Sequence, residues 1–155
     1  MTLRLRPIPA AEYAQLVLPR THELWSHGRS MDAYVSQTLA LANTRYGRKN
    51  YRTFALTNGE TPLLSTFKRY EREARIGATP LRCIGIGAVF TPEEYRGRGY
   101  ASAMLGIALD EARGTGFDFA YLFSDIHPQF YKELGFVELP SRSISLRADS
   151  LSDAR

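Results

Sequence analysis

Residues 83–102, CIGIGAVFTPEEYRGRGYAS, decide the reading of this chain. Cys83, Ile84, Ile86, Ala88, Val89 and Phe90 form a near-continuous apolar run, the pattern of a central strand covered on both faces. Thr91-Pro92 ends it, because proline has no N–H to give a ladder. Arg96-Gly97-Arg98-Gly99 follows, directly before a helical pattern of Ala101, Met104, Leu105, Ala108, Leu109 and Ala112. Glycine lets backbone curl close to a ligand. A helix N-terminus offers unpaired N–H groups and partial positive charge. Arginine adds a full charge that grips phosphate bidentately. The stretch reads as a pyrophosphate cradle at the end of a core strand.

Working outward, Leu3, Leu5 and Ile8 alternate with arginines as a first strand. Residues 10–27 have helical periodicity, which Pro19 should kink or split. Ser30 is the expected N-cap of a second helix running to about Tyr46, with Gly47 as its C-terminal stop. Arg52–Thr57 reads as a strand and Asn58-Gly59 as a turn. Residues 63–75 read as an antiparallel strand with one wet face. Gly85 and Gly87 mark a bulge or a close backbone approach. After the helix at 99–113 come a strand at 117–124, a short helix at 128–134 closed by Gly135, and terminal strands at Phe136–Leu139 and Ser143–Arg147. No repeat or linker interrupts the chain. The expectation is one α+β domain over 1–148 with a tail at 149–155.

The 155 residues, 44% hydrophobic and 23% charged, suffice for a packed core. The formal net charge is +4 and the pI about 9.4. That excess suits an anionic ligand, but a solvated basic surface explains it equally well. Cys83 is the one cysteine, so no internal disulfide or thiolate cluster is available. The absence of a leader or apolar span points to the cytoplasm and away from membranes. His22 and His27, five apart, would lie about 140° around a helix and cannot share a metal, so no metal site is assigned.

Arg96-Gly97-Arg98-Gly99-Tyr100-Ala101 matches the Q/R-x-x-G-x-G/A signature of the GCN5-related N-acetyltransferase (GNAT) superfamily. Phe130-Tyr131-Lys132-Glu133-Leu134-Gly135-Phe136 resembles that family's segment after its fifth strand. The order β-α-α-β-β-β-α-β-α-β-β is also similar. The resemblance covers nearly the whole chain, by motif after residue 60 and by pattern before it. It implies a mixed, mostly antiparallel twisted sheet with helices on both faces. It also implies acetyl-CoA as cosubstrate and direct acetyl transfer to a primary amine, free lysine or another small cationic amine being the first guess.

Residue by residue, the resemblance implies that backbone of Val89, Phe90 and Thr91 pairs with the pantetheine arm. Amides from Arg96 through Gly97, Arg98, Gly99, Tyr100 and Ala101 to Ser102 would hold the pyrophosphate. Ser124 stands where the family often has an asparagine. Tyr131 stands where a tyrosine commonly approaches the coenzyme sulfur. His127 and Glu94 are the candidate bases, each weighed against a solvated side chain. Stretches 25–31, 66–73 and 140–143 are expected to shape the acceptor pocket, with charges of both signs. A monomer or homodimer is expected.

Other functions compete for the same residues. A dinucleotide oxidoreductase would need a third glycine at Ser102 and an acid at a strand end, where Asp118 instead opens one. A P-loop lacks its Gly-Lys-Ser/Thr, and nucleic-acid binding lacks interleaved aromatics or a recognised module. A non-catalytic acyl-CoA sensor of the same fold is the alternative that the sequence leaves open.

Overall fold

The computed structural model describes residues 2–124, 126, 128–142 and 144–145. The contacts divide the chain into two compact units, Met1–Asp125 and Ile126–Arg155, which are described separately. The first unit carries five strands, β1 (Arg4–Ile8), β2 (Tyr51–Thr57), β3 (Ser65–Ile76), β4 (Thr79–Phe90) and β5 (Phe119–Leu122), in one sheet of that order. All neighbours are antiparallel except β4 and β5. A parallel pair needs a crossover, and α5 (Tyr100–Gly114) supplies it.

Register sorts the side chains. Opposed residues share a face, so Ile8, Thr53, Lys68 and Gly87 form one row. Tyr51, Tyr70, Gly85 and Tyr121 form the next row on the same face. On this face Ile8, Ala55 and Phe90 pack with Tyr13, Val17, Leu18 and Tyr34 of the N-terminal helical segment. Phe54 and Phe67 lie on the opposite face, their rings stacked 5.2 Å apart. Helix α5 turns in a stripe of Met104, Leu105, Ala108 and Ala112 and packs on β1, β3 and β4. Helices therefore cover both faces, as expected.

Several boundaries differ from the sequence reading. The first helical run splits into α1 (Ala10–Leu16) and α2 (Leu18–Trp25), with Pro19 in the first turn of α2, where its missing N–H costs nothing. Ser30 caps α3 by accepting the Ala33 N–H at 3.2 Å, but α3 ends at Asn43. Thr44 then caps a further helix, α4 (Arg45–Asn50), by accepting the Gly47 N–H at 2.8 Å. Gly47 is thus inside a helix and not a stop. It is glycine because a Cβ there would strike the Leu41 carbonyl oxygen.

The second unit contains α6 (Gln129–Lys132) and a turn closed by Gly135 at φ 89°. The strand expected at Phe136–Leu139 is absent: those residues find no ladder partner among the described ones, and Val137 and Leu139 are exposed. Of the last expected strand, Ser143, Leu146 and Arg147 lie outside the described residues, as do Met1 and the tail. Among the described residues no helix is long and apolar enough to cross a membrane.

Candidate active site

The site begins with a mismatch in strand length. β4 pairs with β5 only from Cys83 to Ile86, where β5 ends at Leu122. Gly87–Phe90 continue with no strand on that side among the described residues, and residues 87–89 are half-buried. The backbone here is also irregular. Lys68 opposes Gly87 and Thr66 opposes Phe90, so Ala88 and Val89 face the single residue Phe67. Ala88 sits at φ 49°, the left-handed first position of a bulge that glycine usually takes. An alanine held there stores about 1–2 kcal/mol of strain. The bulge lies one residue beyond Gly87, while both glycines mark close approaches. A Cβ at Gly85 would come within 2.9 Å of the Tyr121 ring, and one at Gly87 within 3.3 Å of Tyr70.

The end of β4 is pinned. Ser65 Oγ donates to the Phe90 carbonyl at 3.1 Å and meets Thr91 Oγ1 at 2.9 Å. Pro92 is buried and opens a short 3-10 turn, Glu93–Tyr95. Arg96 closes that turn: its N–H donates to the Glu93 carbonyl at 3.2 Å and its Nε to the Thr91 carbonyl at 3.1 Å. The Arg96 amide is therefore committed to the protein, and the free amides begin one residue later. Gly97 and Gly99 both sit in the left-handed region, at φ 72° and 75°. Gly99 is the N-cap of α5 and no side chain caps the helix. The first N–H bonded back into the helix is that of Ala103, to the Gly99 carbonyl at 3.0 Å. Among the described residues, the N–H groups of Gly97 through Ser102 have no backbone acceptor. Arg98 stacks its guanidinium 5.9 Å from the Tyr95 ring centre and is exposed. No Cβ at either glycine would meet anything within 4 Å. The chain thus turns unpaired donors and a cation toward open space beside α5, an arrangement that suits a diphosphate.

Titratable groups nearby divide clearly. Glu94 pairs with Arg20 at 2.7 Å, and that hydrogen bond holds its carboxyl below the usual range. It lines a surface crevice of about 360 Å³ with Gln15, Leu16 and Arg20, whose walls include none of residues 87–90 or 97–102. Burial raises the Cys83 thiol, keeping it protonated and inert. Lys68, opposite Gly87, is pushed down to about 8 by burial. Lys68 belongs to the stretch 66–73 expected to shape the acceptor pocket. Ser124 is exposed two residues past β5. His127 lies outside the described residues.

In the second unit, Tyr131 occupies α6 with its ring edge-on to Phe130 at 4.9 Å and to Phe136 at 5.9 Å. Its carbonyl accepts the Leu134 and Phe136 N–H groups, so the FYKELGF segment closes on itself around the tyrosine. His22 Nε2 meets the Arg29 carbonyl at 2.7 Å. No cluster of metal-ligating side chains occurs among the described residues.

The first unit is thus a mixed five-stranded sheet whose one parallel pair stops short along β4, beside a helix with free N-terminal amides. The chain belongs to the GNAT acetyltransferases, the family model described as acetyltransferase (GNAT) domain matching residues 22–138. Acyl transfer from acetyl-CoA is what membership implies. Among solved structures, the fold is similar to glucosamine-6-phosphate N-acetyltransferase from Arabidopsis thaliana. That match has 13% identity and TM-score 0.67, and covers 96% of this chain and all of the other. It is also similar to a possible acetyltransferase from Clostridium difficile 630, with 12% identity, TM-score 0.73 and coverage of 96% and 99%. A GCN5-related N-acetyltransferase from Ralstonia eutropha JMP134 has 19% identity, TM-score 0.68 and coverage of 94% and 99%. At these identities the likeness concerns the fold. No curated protein sequence matches the chain.

Proposed function

We propose that the protein is an acetyl-CoA-dependent N-acetyltransferase that moves the acetyl group directly to a primary amine. The observation that carries this reading is a pair of backbone stretches close in sequence: the bulged Gly87–Val89, with no strand on the β5 side among the described residues, and the amides of Gly97–Ser102, with no backbone acceptor among them. The first suits an amide-bearing pantetheine arm as an added strand, through Val89, Phe90 and Thr91. The second suits the diphosphate, with Arg98 as counter-charge, and we assign Ser124 a contact with the arm.

The chemistry asks for three further things. A donor must steady the thioester oxygen as charge develops, a role we give to a strand N–H at the Ala88–Val89 bulge. The leaving thiolate must be protonated. A thiol with reference pKa of about 8.5 and a tyrosine of about 10 are close enough for the transfer, which we assign to Tyr131. The incoming amine must be neutral, though an alkylamine has a pKa of about 10.4. Glu94 is poorly suited as that base, since Arg20 lowers its proton affinity. We assign the role to His127. Free-thiol release from acetyl-CoA with a pool of primary amines tests the reading. Tight acetyl-CoA binding with no thiol release across the pool would favour the non-catalytic sensor.

A further inference from the structure

Residues 66–73 carry both signs of charge in sequence, but the β3 register separates them. Lys68 and Arg72 fall on the face toward α1–α4, whereas Arg69, Glu71 and Glu73 fall on the other. Glu71 is already held by Arg69 at 2.7 Å. On the helix-covered face each of the two cations lies over an aromatic ring. Lys68 Nζ lies 5.2 Å over the Tyr13 ring centre and Arg72 5.7 Å from that of Tyr46. Among the described residues neither has a carboxylate within ion-pair distance. The covering helices hold three acids: Glu12 is bound to Arg6 at 2.6 Å, and Glu23 and Asp32 are exposed.

The same face holds two orphaned donors. The hydroxyls of Tyr13 and Tyr51 are buried with no hydrogen-bond partner among the described residues, in residues 0% and 4% exposed. Tyr51 stands one row along the face from Lys68, its ring centre 5.2 Å from that of Tyr70, and the Tyr13 ring lies under the Lys68 ammonium. Each unmade bond destabilises the fold, and a partly buried cation without a counter-ion adds to that. A fold keeps such groups when a ligand completes them. Their place is also telling. Lys68 stands directly opposite Gly87, the last residue before the bulge, where β4 has left β5.

We propose that this face is the acceptor site, and that Lys68 with the Tyr13 and Tyr51 hydroxyls takes the carboxylate of an amine acceptor that carries one, a small amino acid. The inference rests on the transferase reading above and narrows its substrate class. A plain cationic amine would meet Lys68 and Arg72 with like charge. A zwitterion brings the anion that this face lacks. The pKa of Lys68 is lowered by burial, with no acid to offset it.

The chain has three lysines, Lys49, Lys68 and Lys132, so lysine labelled with carbon-13 at Cε gives three resonances. Lys68→Met identifies one of them. The probes are N-acetylglycine and N-acetylalanine against N-methylacetamide and N-ethylacetamide, which lack the carboxylate, at matched ionic strength and saturating coenzyme A. The expected result is a rise of about one unit in the Lys68 titration midpoint with the carboxylates alone, Lys49 and Lys132 standing still. An unmoved Lys68, an equal response to all four probes, or a common shift of all three lysines overturns the proposal. Acetyl-CoA calorimetry on the same sample reports separately on the transferase reading, so failure of one is distinguishable from failure of the other.

Discussion

Gly99→Glu separates folding from coenzyme binding. Gly99 has φ 75°, so any side chain pays about 1–2 kcal/mol for the left-handed backbone. A carboxylate at the N-cap recovers about 0.3–1 kcal/mol from the helix dipole. A Cβ at this position meets nothing within 4 Å, so no packing is lost. The net destabilisation is about 1 kcal/mol, a fall in Tm of about 2–4 °C for a chain of this size. Binding should suffer far more. A carboxylate about 5 Å from a phosphate charge, at an effective dielectric of about 20, is repelled by about 3 kcal/mol. That corresponds to a loss of at least about a hundredfold in acetyl-CoA affinity. Differential scanning calorimetry gives the first number and isothermal titration the second. A Gly99→Glu protein that melts a few degrees early yet binds acetyl-CoA normally would refute the reasoning about the cradle.

Other outcomes follow from single groups. Tyr131→Phe should lower kcat about a hundredfold while acetyl-CoA affinity stays put, in thiol-release kinetics and calorimetry; an unchanged kcat removes Tyr131 from proton transfer. Gly106→Ala, inside α5 with nothing within 4 Å of the new Cβ, should stabilise by about 1 kcal/mol, read as a rise in Tm. Lys68→Met should also stabilise near neutral pH. The folded pKa of about 8 lies below the ordinary 10.5, so the charged form is penalised in the fold at and below pH 8. Wild-type stability should therefore rise between about pH 8 and 9.5, before buried Tyr13, Tyr51 and Tyr70, whose pKa values burial raises, act in the opposite sense near pH 10. The full shift sets an upper bound of about 3 kcal/mol, which partial exposure reduces to about 1–2. Urea melts of the Met variant should lack the rise; a parallel rise in both proteins would assign it to other groups.

The central strand and the helix after it were readable because apolar runs and glycine loops are local signals. The α5 boundary fell within a residue of expectation, and Pro19 split its helix as its chemistry requires. Gly47 misled, because its role is steric contact with a carbonyl one helix back, which no local pattern encodes. The strand expected at Phe136–Leu139 misled as well. Its alternation was adequate, but a strand exists only with a partner, and partner choice is a tertiary matter.

The site was legible to the same uneven degree. The glycine–arginine loop announced free amides, but the loss of the Arg96 amide to Glu93 depends on a turn that sequence does not specify. The bulge was signalled by Gly85 and Gly87 yet fell on Ala88, a residue that rarely takes positive φ. Lys68 did not stand out within 66–73 because its meaning comes from the register. One step along β3 would have put it beside Glu71 and Arg69 instead of Tyr13.

The most direct measurement is a titration of nitrogen-15-labelled protein with acetyl-CoA, followed by amide NMR. The account predicts that the largest shifts fall on Gly97–Ser102 and Gly87–Phe90, with Arg96 moving less because its N–H is already bonded. Shifts centred elsewhere, such as the crevice of Gln15, Leu16 and Arg20, would contradict it.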